Sequence, residues 1–460
     1  MVEDQPTSMR VREPGIRALF TREARWQAWL DVEAALADAE AEIGMIPAEA
    51  AVEIRKKARL ELLDVGRIEE GLRVTGHGLV PLIWDLDRIC DGDAGGFVHW
   101  GATTQNITQT GLILQVRQAH RIVLDEIASL LEGLATLAER TKDDALPGRT
   151  HGQHAVPSTF GAKVAVWIDE IARHVDRLHE CEPRLFVAML GGGAGTQASF
   201  DGHGPALQRR LGELLGLGSM PVPGRVILDH LVEYVLVLAL LDTTCGRVAR
   251  EIRELMKEEF GEVEEPVPPG SVGSSTMPQK RNPKLCQDIM AAETQVRALM
   301  PLAMESMLSD HEADGSRAVM MQRALTEALG MTGDILVRMN ELATGLRVFP
   351  ERMRQNLDLS GGLIMSETLM LSLGRELGRQ RAHDAVYEAA QEAAVSGASF
   401  ADLLAARPEV AGHLDPARIA ELLDPTRYTG ESARQAEEQA ARGRAVAAAI
   451  RARPRPAHGG

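Results

Sequence analysis

Aromatic residues are scarce in this sequence. Phe, Tyr and Trp make up 3% of the 460 residues, whereas hydrophobic residues of all kinds make up 45%. The core must therefore be built from Leu, Val, Ile, Ala and Met, which suits closely packed helices better than a sheet sandwich. A chain of this length also exceeds one ordinary domain, so we expect more than one folded unit.

Paired cysteines and long hydrophobic runs are also missing. The four cysteines, Cys90, Cys181, Cys245 and Cys286, are widely spaced and form no C-x-x-C motif, which favours buried, reduced thiols over a zinc site. The longest apolar run, residues 234–241, is far shorter than the roughly 20 residues that span a bilayer. Charges scattered through the first residues argue against a signal peptide. The sequence predicts a cytoplasmic protein without membrane contact.

Positive charge is in deficit. Lys and Arg number 50 against 66 Asp and Glu, which gives a formal net charge of −16. This balance excludes a broad nucleic-acid footprint, and it favours solubility. An anionic substrate would depend on local clusters of Lys and Arg.

Apolar residues recur at spacings of three and four, which predicts long helices over residues 160–178, over 227–256 and after Pro283. No long run alternates with the two-residue period of strands. These features predict an all-α protein built on an elongated bundle. Residues 264–283 interrupt the helices with Pro, Gly and Ser around two adjacent cations. A polar loop of this length inside a bundle is more often functional than decorative.

This loop contains the residues best suited to catalysis. A serine hydroxyl becomes a useful base when a nearby ammonium and backbone N–H groups stabilise its alkoxide. Ser274 precedes Lys280 on the loop, and Asn282 adds an amide donor. The helix expected after Pro283 would direct its positive end toward an anion. These residues indicate a serine base beside a carboxylate-binding cation.

The string GSSTMPQKRNP in this loop resembles the signature of the fumarase/aspartase superfamily, G-S-S-x-M-P-x-K-x-N-P, at every fixed position. The resemblance implies that Ser274 removes a proton from the carbon beside a carboxylate. It also implies that Lys280 and Asn282 hold that carboxylate as negative charge builds on it. Ser275 and Met277 belong to the same motif and are assigned to substrate binding.

A second string, GRTHGQHA at residues 148–155, resembles the superfamily motif G-R-T-H-x-Q. A histidine that titrates near neutral pH is a natural general acid for a departing group. By resemblance His151 assists the leaving group, and Thr150 and Gln153 contact substrate. The spacing of His151 and His154 would allow a metal site on a helix. Neither a carboxylate nor a third histidine lies close by, so we expect no metal.

A third string, HWGATTQN at residues 99–106, resembles the motif G-A-T-S-Q-D. The adjacent hydroxyls of Thr103 and Thr104 can donate to a second carboxylate of the substrate. Asn106 stands where the motif has aspartate, a change that removes a charge and adds a donor but keeps a binding role. His77 falls where adenylosuccinate lyases carry a histidine near the leaving group, so we assign it to the substrate site.

The resemblance covers nearly the whole chain, and residues 20–47 and 350–362 are similar to the adenylosuccinate lyase and 3-carboxy-cis,cis-muconate cycloisomerase branch. It implies three helical domains with a long central five-helix bundle. Separately, the Pro-, Arg- and Gly-rich composition of residues 451–460 predicts a flexible tail. The expected boundaries are 1–103, 104–345 and 346–460.

The resemblance also implies a homotetramer in which three subunits contribute to each active site. Residues 266–278, with small residues such as Ser271, would close over a small dicarboxylate substrate and exclude water. The chemistry requires no cofactor.

The sequence thus predicts a lyase that eliminates a group from a substituted succinate and releases fumarate through an aci-carboxylate intermediate. Carbon–nitrogen cleavage is favoured, with nitrosuccinate or an N-substituted aspartate such as adenylosuccinate as candidate substrates. The phosphate-binding segment R-D-L-S-D-S-S of adenylosuccinate lyases is not evident at residues 308–317, LSDHEADGSR. That stretch is closer to the pattern E-H-E-R-x-x-G-x-W, so a lactonising 3-carboxy-cis,cis-muconate cycloisomerase is the alternative. A non-catalytic relative is disfavoured because the proposed base and acid are both present.

Overall fold

The computed structural model describes residues 7–270 and 272–454. Ser271 and residues 455–460 of the predicted tail lie outside the described residues. Long helices dominate, and the strands form separate two-stranded ladders, so the prediction of an all-α fold is confirmed. None of the helices in the described ranges combines the length and apolarity needed to cross a lipid bilayer.

In chain order the helices are α1 (Arg22–Glu42), α2 (Ala48–Lys57), α3 (Val65–Thr75), α4 (Val80–Ile89), α5 (Thr104–Arg140), α6 (Phe160–Leu185), α7 (Gly204–Leu215), α8 (Asp229–Leu255), α9 (Lys284–Glu305), α10 (Gly315–Gly345), α11 (Pro350–Asp358), α12 (Ser366–Leu377), α13 (Arg379–Ser396), α14 (Phe400–Ala406), α15 (Pro408–Ala411), α16 (Pro416–Leu422) and α17 (Ser432–Ala452). The strands are β1 (Ala145–Thr150), β2 (Gln153–Thr159), β3 (Val187–Ala188), β4 (Gly218–Ser219), β5 (Val263–Glu264) and β6 (Arg347–Val348). β1 pairs with β2 and β5 with β6 in antiparallel fashion, and β3 pairs with β4 in parallel.

Five long helices, α5, α6, α8, α9 and α10, pack against one another as the central bundle. The longest, α5, has 37 residues and therefore extends about 55 Å. Helix α6 shows why these segments are helical. The Thr159 hydroxyl accepts a hydrogen bond from the Ala162 N–H at 3.1 Å, and Phe160, Val164 and Ile168 lie on one buried face.

The last helix returns to the bundle. Helix α17 packs against α5 and α6, and its buried residues Ala436, Ala440 and Ile450 join the core of the bundle. Small alanine side chains allow a close approach of the helices. Arg451 lies in α17 and pairs with Glu132, so the prediction that the tail starts at Arg451 is wrong at this residue.

A smaller core lies in residues 363–423 and contains Leu369, Leu373, Val386 and Phe400. Helix α5 begins at Thr104 and α10 ends at Gly345, beside two of the predicted domain boundaries. Helix α17 belongs to the predicted C-terminal domain, but it packs on the bundle and not on the smaller core. The division into three domains therefore stays a prediction. All four cysteines are buried.

Candidate active site

The loop between β5 and α9 is held at its neck by side chains. Glu265 is 5% exposed and accepts hydrogen bonds from the backbone N–H groups of Leu285 at 3.0 Å and Cys286 at 2.7 Å. Lys284 Nζ donates to the Val272 carbonyl oxygen at 2.6 Å. Burial raises the pKa of Glu265, and the hydrogen bonds from the first turn of α9 oppose that rise. The base of the loop is therefore fixed to the N-terminus of α9.

Gly273 and Asn282 narrow the loop further. Asn282 Nδ2 donates to the Gly273 carbonyl oxygen at 2.7 Å. A Cβ atom at Gly273 would overlap the carbonyl oxygen of Lys280, so only glycine fits there. One N–H of the Asn282 amide is used in this way. The second N–H and the side-chain oxygen remain available to a substrate.

Ser274 lies in a turn that suits it to act as a base. Its Oγ accepts hydrogen bonds from the backbone N–H groups of Met277 at 3.1 Å and Thr276 at 3.4 Å. Two N–H groups directed at one oxygen stabilise an alkoxide more than a hydroxyl, which lowers the cost of forming the base. Within the described ranges the Lys280 ammonium makes no hydrogen bond or ion pair. Ser275 and Met277 are exposed beside it.

A cavity of about 390 Å³ lies against the neck of the loop, and its lining includes Arg10, Gly273, Arg281 and Asn282. Arg10 lies 3.5 Å from Glu341, whereas Arg281 is unpaired among the described residues. Glu264 and Glu265 also line the cavity, so both cationic and acidic residues lie around it.

The second motif forms a β-hairpin and not a helix. Thr150 pairs with Gln153, which leaves His151 and Gly152 as a two-residue turn. Both turn residues have positive φ, 52° at His151 and 76° at Gly152, as a type I′ turn requires. The helical placement considered for His151 and His154 is therefore wrong. In the described part of the chain, no group of three or more His, Cys, Asp or Glu side chains could hold a metal ion.

The hairpin tip is exposed, but a partly buried ion pair directly before it holds it in place. Arg149 donates to both carboxylate oxygens of Glu262, at 2.6 and 3.1 Å. Glu262 has no exposed surface and also accepts a hydrogen bond from Asn356 Nδ2 at 2.7 Å. Burial, and then the charge of Arg149, lower the pKa of His154. The tip residues therefore stand on a rigid support.

The structure brings His77 and Thr104 together. His77 Nε2 lies 3.4 Å from Thr104 Oγ1, and Nδ1 accepts hydrogen bonds from the backbone N–H groups of Leu79 at 3.3 Å and Val80 at 3.1 Å. Since Nδ1 accepts, the proton of the neutral ring lies on Nε2 and faces Thr104. The side chains of His77 and Thr104 thus form one polar pair at the N-terminus of α5.

Asn106 is directed inward. Its side chain has no exposed surface, and Oδ1 accepts hydrogen bonds from the backbone N–H groups of Thr103 at 3.0 Å and Gly192 at 3.2 Å. Nδ2 contacts Met189 Sδ at 3.0 Å. Asn106 therefore caps α5 and holds two loops together. This placement differs from the substrate contact expected of it, because the amide finds its partners inside the protein.

The three sequence motifs are not all in contact within one chain. Among the described residues, no hydrogen bond or ion pair connects the loop 272–283 with the hairpin tip or with residues 99–106. The structure links His77 with Thr104, and it leaves Ser274 and His151 unlinked.

Three residues that support the site were not predicted from the sequence, namely Arg149, Glu262 and Glu265. Arg149 and Glu262 are 113 positions apart, and no local periodicity connects them. For Glu265 a signal was present, because a carboxylate beside a helix N-terminus is attracted to its free N–H groups.

A long-helix bundle that presents a serine turn beside a free lysine defines the class of protein, a helical lyase. A family profile described as "Lyase" matches residues 8–298, and one described as "Adenylosuccinate lyase C-terminus" matches residues 362–439. The chain is 39% identical over 435 residues to the adenylosuccinate lyase of Methanothermobacter thermautotrophicus, covering 94% of this chain and 97% of that protein.

It is also 38% identical over 423 residues to the N-acetyl-S-(2-succino)cysteine lyase of Enterococcus italicus, covering 92% and 93%. The crystal structure of 3-carboxy-cis,cis-muconate lactonizing enzyme from Pseudomonas putida matches with a TM-score of 0.87 at 32% identity, covering 98% of this chain and 100% of that one. The chain therefore belongs to the fumarase/aspartase superfamily of enzymes, in the branch of adenylosuccinate lyases and carboxymuconate cycloisomerases.

Proposed function

We propose that this enzyme removes a proton and a leaving group from a substituted succinate and releases fumarate. The observation that carries the proposal is the Ser274 turn, in which two backbone N–H groups meet Oγ on the same loop as the unpaired Lys280. The Ser274 alkoxide takes the proton beside one carboxylate. Lys280 and the remaining amide capacity of Asn282 stabilise the aci-carboxylate, which lowers the barrier because this charge develops only during reaction.

The leaving group departs from the neighbouring carbon with the electron pair of its bond, and His151 supplies the proton that it needs. Thr150 and Gln153 flank that histidine and contact the substrate. Thr103 and Thr104 donate to the second carboxylate, with His77 beside them at 3.4 Å from Thr104.

We propose further that the enzyme is a homotetramer in which three subunits supply one motif each. Two features of the chain support this. The exposed hairpin tip and loop have no link within one chain. Helices α6 and α8 also expose apolar side chains, with Val166 at 54% and Leu240 at 52% exposure. Apolar side chains on the outside of a bundle are typical of surfaces that become buried on assembly.

The leaving group is proposed to be a small amine or thiol and not a nucleotide. Residues 308–317 contain one Arg and no Lys, and that residue, Arg317, is committed to Glu305 at 2.9 Å and Asp314 at 3.2 Å. No arginine or lysine charge in this stretch is left to hold a phosphate. A succinyl adduct of an amine, as in the carbon–nitrogen cleavage predicted from the sequence, or of a thiol, as named for the E. italicus relative, fits this site better than adenylosuccinate.

The test is an ultraviolet assay of fumarate release from adenylosuccinate, argininosuccinate, aspartate, nitrosuccinate and 2-succinyl adducts of small amines and thiols. We expect release from a small adduct and none from adenylosuccinate. Release from no member would refute the proposal. Consumption of 3-carboxymuconate without fumarate would identify the second candidate, a lactonising enzyme, which the similarity to the P. putida structure supports.

A further inference from the structure

Arg25 on α1 is a half-buried cation without a counter-ion. In the described ranges its guanidinium makes no hydrogen bond or ion pair. Other arginines without such contacts are exposed, namely Arg209, Arg250, Arg281, Arg375, Arg379 and Arg381. Burial lowers the pKa of Arg25, opposed only by the charge of Glu23. A cation withdrawn from water is unfavourable unless an anion accompanies it.

Arg25 lines a cavity of about 70 Å³ between α1, α5, α8 and α10. The polar part of the lining includes Gln105, Thr108, Gln109 and Gln322, and the lining contains no Asp or Glu. The volume accommodates a carboxylate group or a few water molecules. The rest of the lining is apolar, so the cavity is small and holds one cation and several amide groups among apolar side chains.

The polar walls present hydrogen-bond donors. Gln109 Oε1 accepts a hydrogen bond from Gln105 Nε2 at 3.0 Å, so the amide N–H groups of Gln109 remain available. The side chains of Thr108 and Gln322 have no hydrogen-bond partner within residues 7–270 and 272–454. Donors that converge beside an unpaired guanidinium are the chemistry that binds a carboxylate.

We propose that Arg25 and this cavity bind a carboxylate carried by the leaving group of the substrate, an inference that rests on the proposed function. Gln105, in the cavity wall, directly follows Thr104. The cavity-lining residues of α5 are centred roughly 9 Å along the helix axis from Thr104. A leaving group of amino-acid type, whose amine or thiol lies a few bonds from its carboxylate, fits this separation. The substrate class is then a succinyl adduct of an amino acid.

The test uses matched substrates that differ in one carboxylate. The thiol pair is the S-(1,2-dicarboxyethyl) thioethers of N-acetylcysteine and N-acetylcysteamine, and the amine pair is the N-(1,2-dicarboxyethyl) derivatives of alanine and ethylamine. Arg25→Gln should lower kcat/KM for the carboxylate-bearing member about 10- to 100-fold and alter the other member less than about threefold, because only the former loses a charge-assisted hydrogen bond. Arg25→Lys should recover part of the loss, since it keeps the charge without the fork geometry.

Arg209→Gln is the matched control, because it removes an unpaired but exposed arginine on α7 and should change neither substrate. Succinate should inhibit the wild type and Arg25→Gln equally. The inference would be overturned if Arg25→Gln lowered kcat/KM equally for both members of a pair, or for neither. A changed oligomeric state in Arg25→Gln would also overturn it. Turnover of other succinates but of neither carboxylate-bearing adduct would also overturn it and leave the proposed function standing. Absence of fumarate from every substrate would refute the proposed function and the inference together.

Discussion

The Arg149 guanidinium and the Glu262 carboxylate form a partly buried ion pair that connects the hairpin tip to the segment before the loop between β5 and α9. Arg149 directly precedes Thr150, and Glu262 directly precedes β5. Because Glu262 has no exposed surface, water cannot replace its hydrogen bonds from Arg149, and both carboxylate oxygens in turn fix the orientation of the guanidinium. One pair therefore positions residues of two motifs.

Glu262→Gln should loosen this support while keeping the shape of the side chain. We expect kcat to fall about tenfold with a smaller change in KM, and the free energy of unfolding to fall by about 2 kcal/mol, since the guanidinium loses a charged acceptor. Steady-state fumarate release and thermal melts measure the two effects. Arg347→Gln breaks a more exposed pair with Glu264 in the β5–β6 ladder and should change both little. Similar losses in the two variants would argue against a positioning role.

Ser274→Ala should leave the fold and the assembly intact and lower kcat about a thousandfold or more, because no other group replaces the base. Thr276→Ala is the matched control. Its backbone N–H still donates to Ser274, so it should retain most of the activity. Fumarate release and size-exclusion chromatography measure both variants, and wild-type turnover by Ser274→Ala would remove Ser274 from its assigned role.

Gly273→Ala should inactivate the enzyme without unfolding it. The added methyl group would overlap the Lys280 carbonyl oxygen and open the loop, moving Ser274 away from its productive position. A displacement of this kind costs about 100-fold in kcat. Gly96→Ala, where the added methyl group meets open space, is the control for a glycine change. Comparable melting temperatures with unequal kcat values would confirm the expectation, and equal kcat values would contradict it.

Glu40 should make stability depend on pH. The residue is 1% exposed, and neither carboxylate oxygen has a hydrogen-bond partner among the described residues. Burial, and then the nearby charge of Glu33, raise the pKa of Glu40 from 4.5 to about 9. The folded protein therefore prefers the protonated carboxyl. Stability from this group is fully present below pH 4.5 and is lost as the pH rises toward 9.

Glu40→Gln should accordingly raise the free energy of unfolding at pH 8 by on the order of 2 kcal/mol and match the wild type at low pH. Thermal melts between pH 4.5 and 8.5 measure the difference. Glu42→Gln changes an exposed carboxylate on the same helix as Glu40, where Glu42 pairs with Arg210 of α7, and it should not reproduce this pH-dependent gain. A constant difference across the range would contradict the titration of Glu40.

The bundle could be predicted because its signal is local. Apolar residues such as Val164 and Ile168 recur within single helices, and the structure buries them. The loop motif GSSTMPQKRNP is likewise one continuous string. The hairpin of the second motif could not be predicted in the same way. Its two strands have no sheet to join, so they lack the alternation of a half-buried strand, and His151 adopts a positive φ that is uncommon outside glycine.

The rest of the site depends on partners distant in sequence. Asn106 turns inward because Gly192 and Met189 offer it partners 86 and 83 positions away. The cavity at Arg25 is likewise assembled from four helices. Spacing along one segment contains no information about such contacts, so the motifs could be predicted from the sequence but the residues that support them could not.

The return of α17 to the bundle also affects how the chain folds. Arg121 in α5 donates a hydrogen bond at 3.0 Å to the carbonyl oxygen of Ile450, 329 positions later. Such a long loop must close before these contacts form, and its entropic cost slows folding relative to a bundle of neighbouring helices. During synthesis, α5 and α6 leave the ribosome long before α17 and keep an apolar groove uncovered for that interval. Chaperone capture of the nascent chain should therefore end when residues 432–452 emerge and cover it.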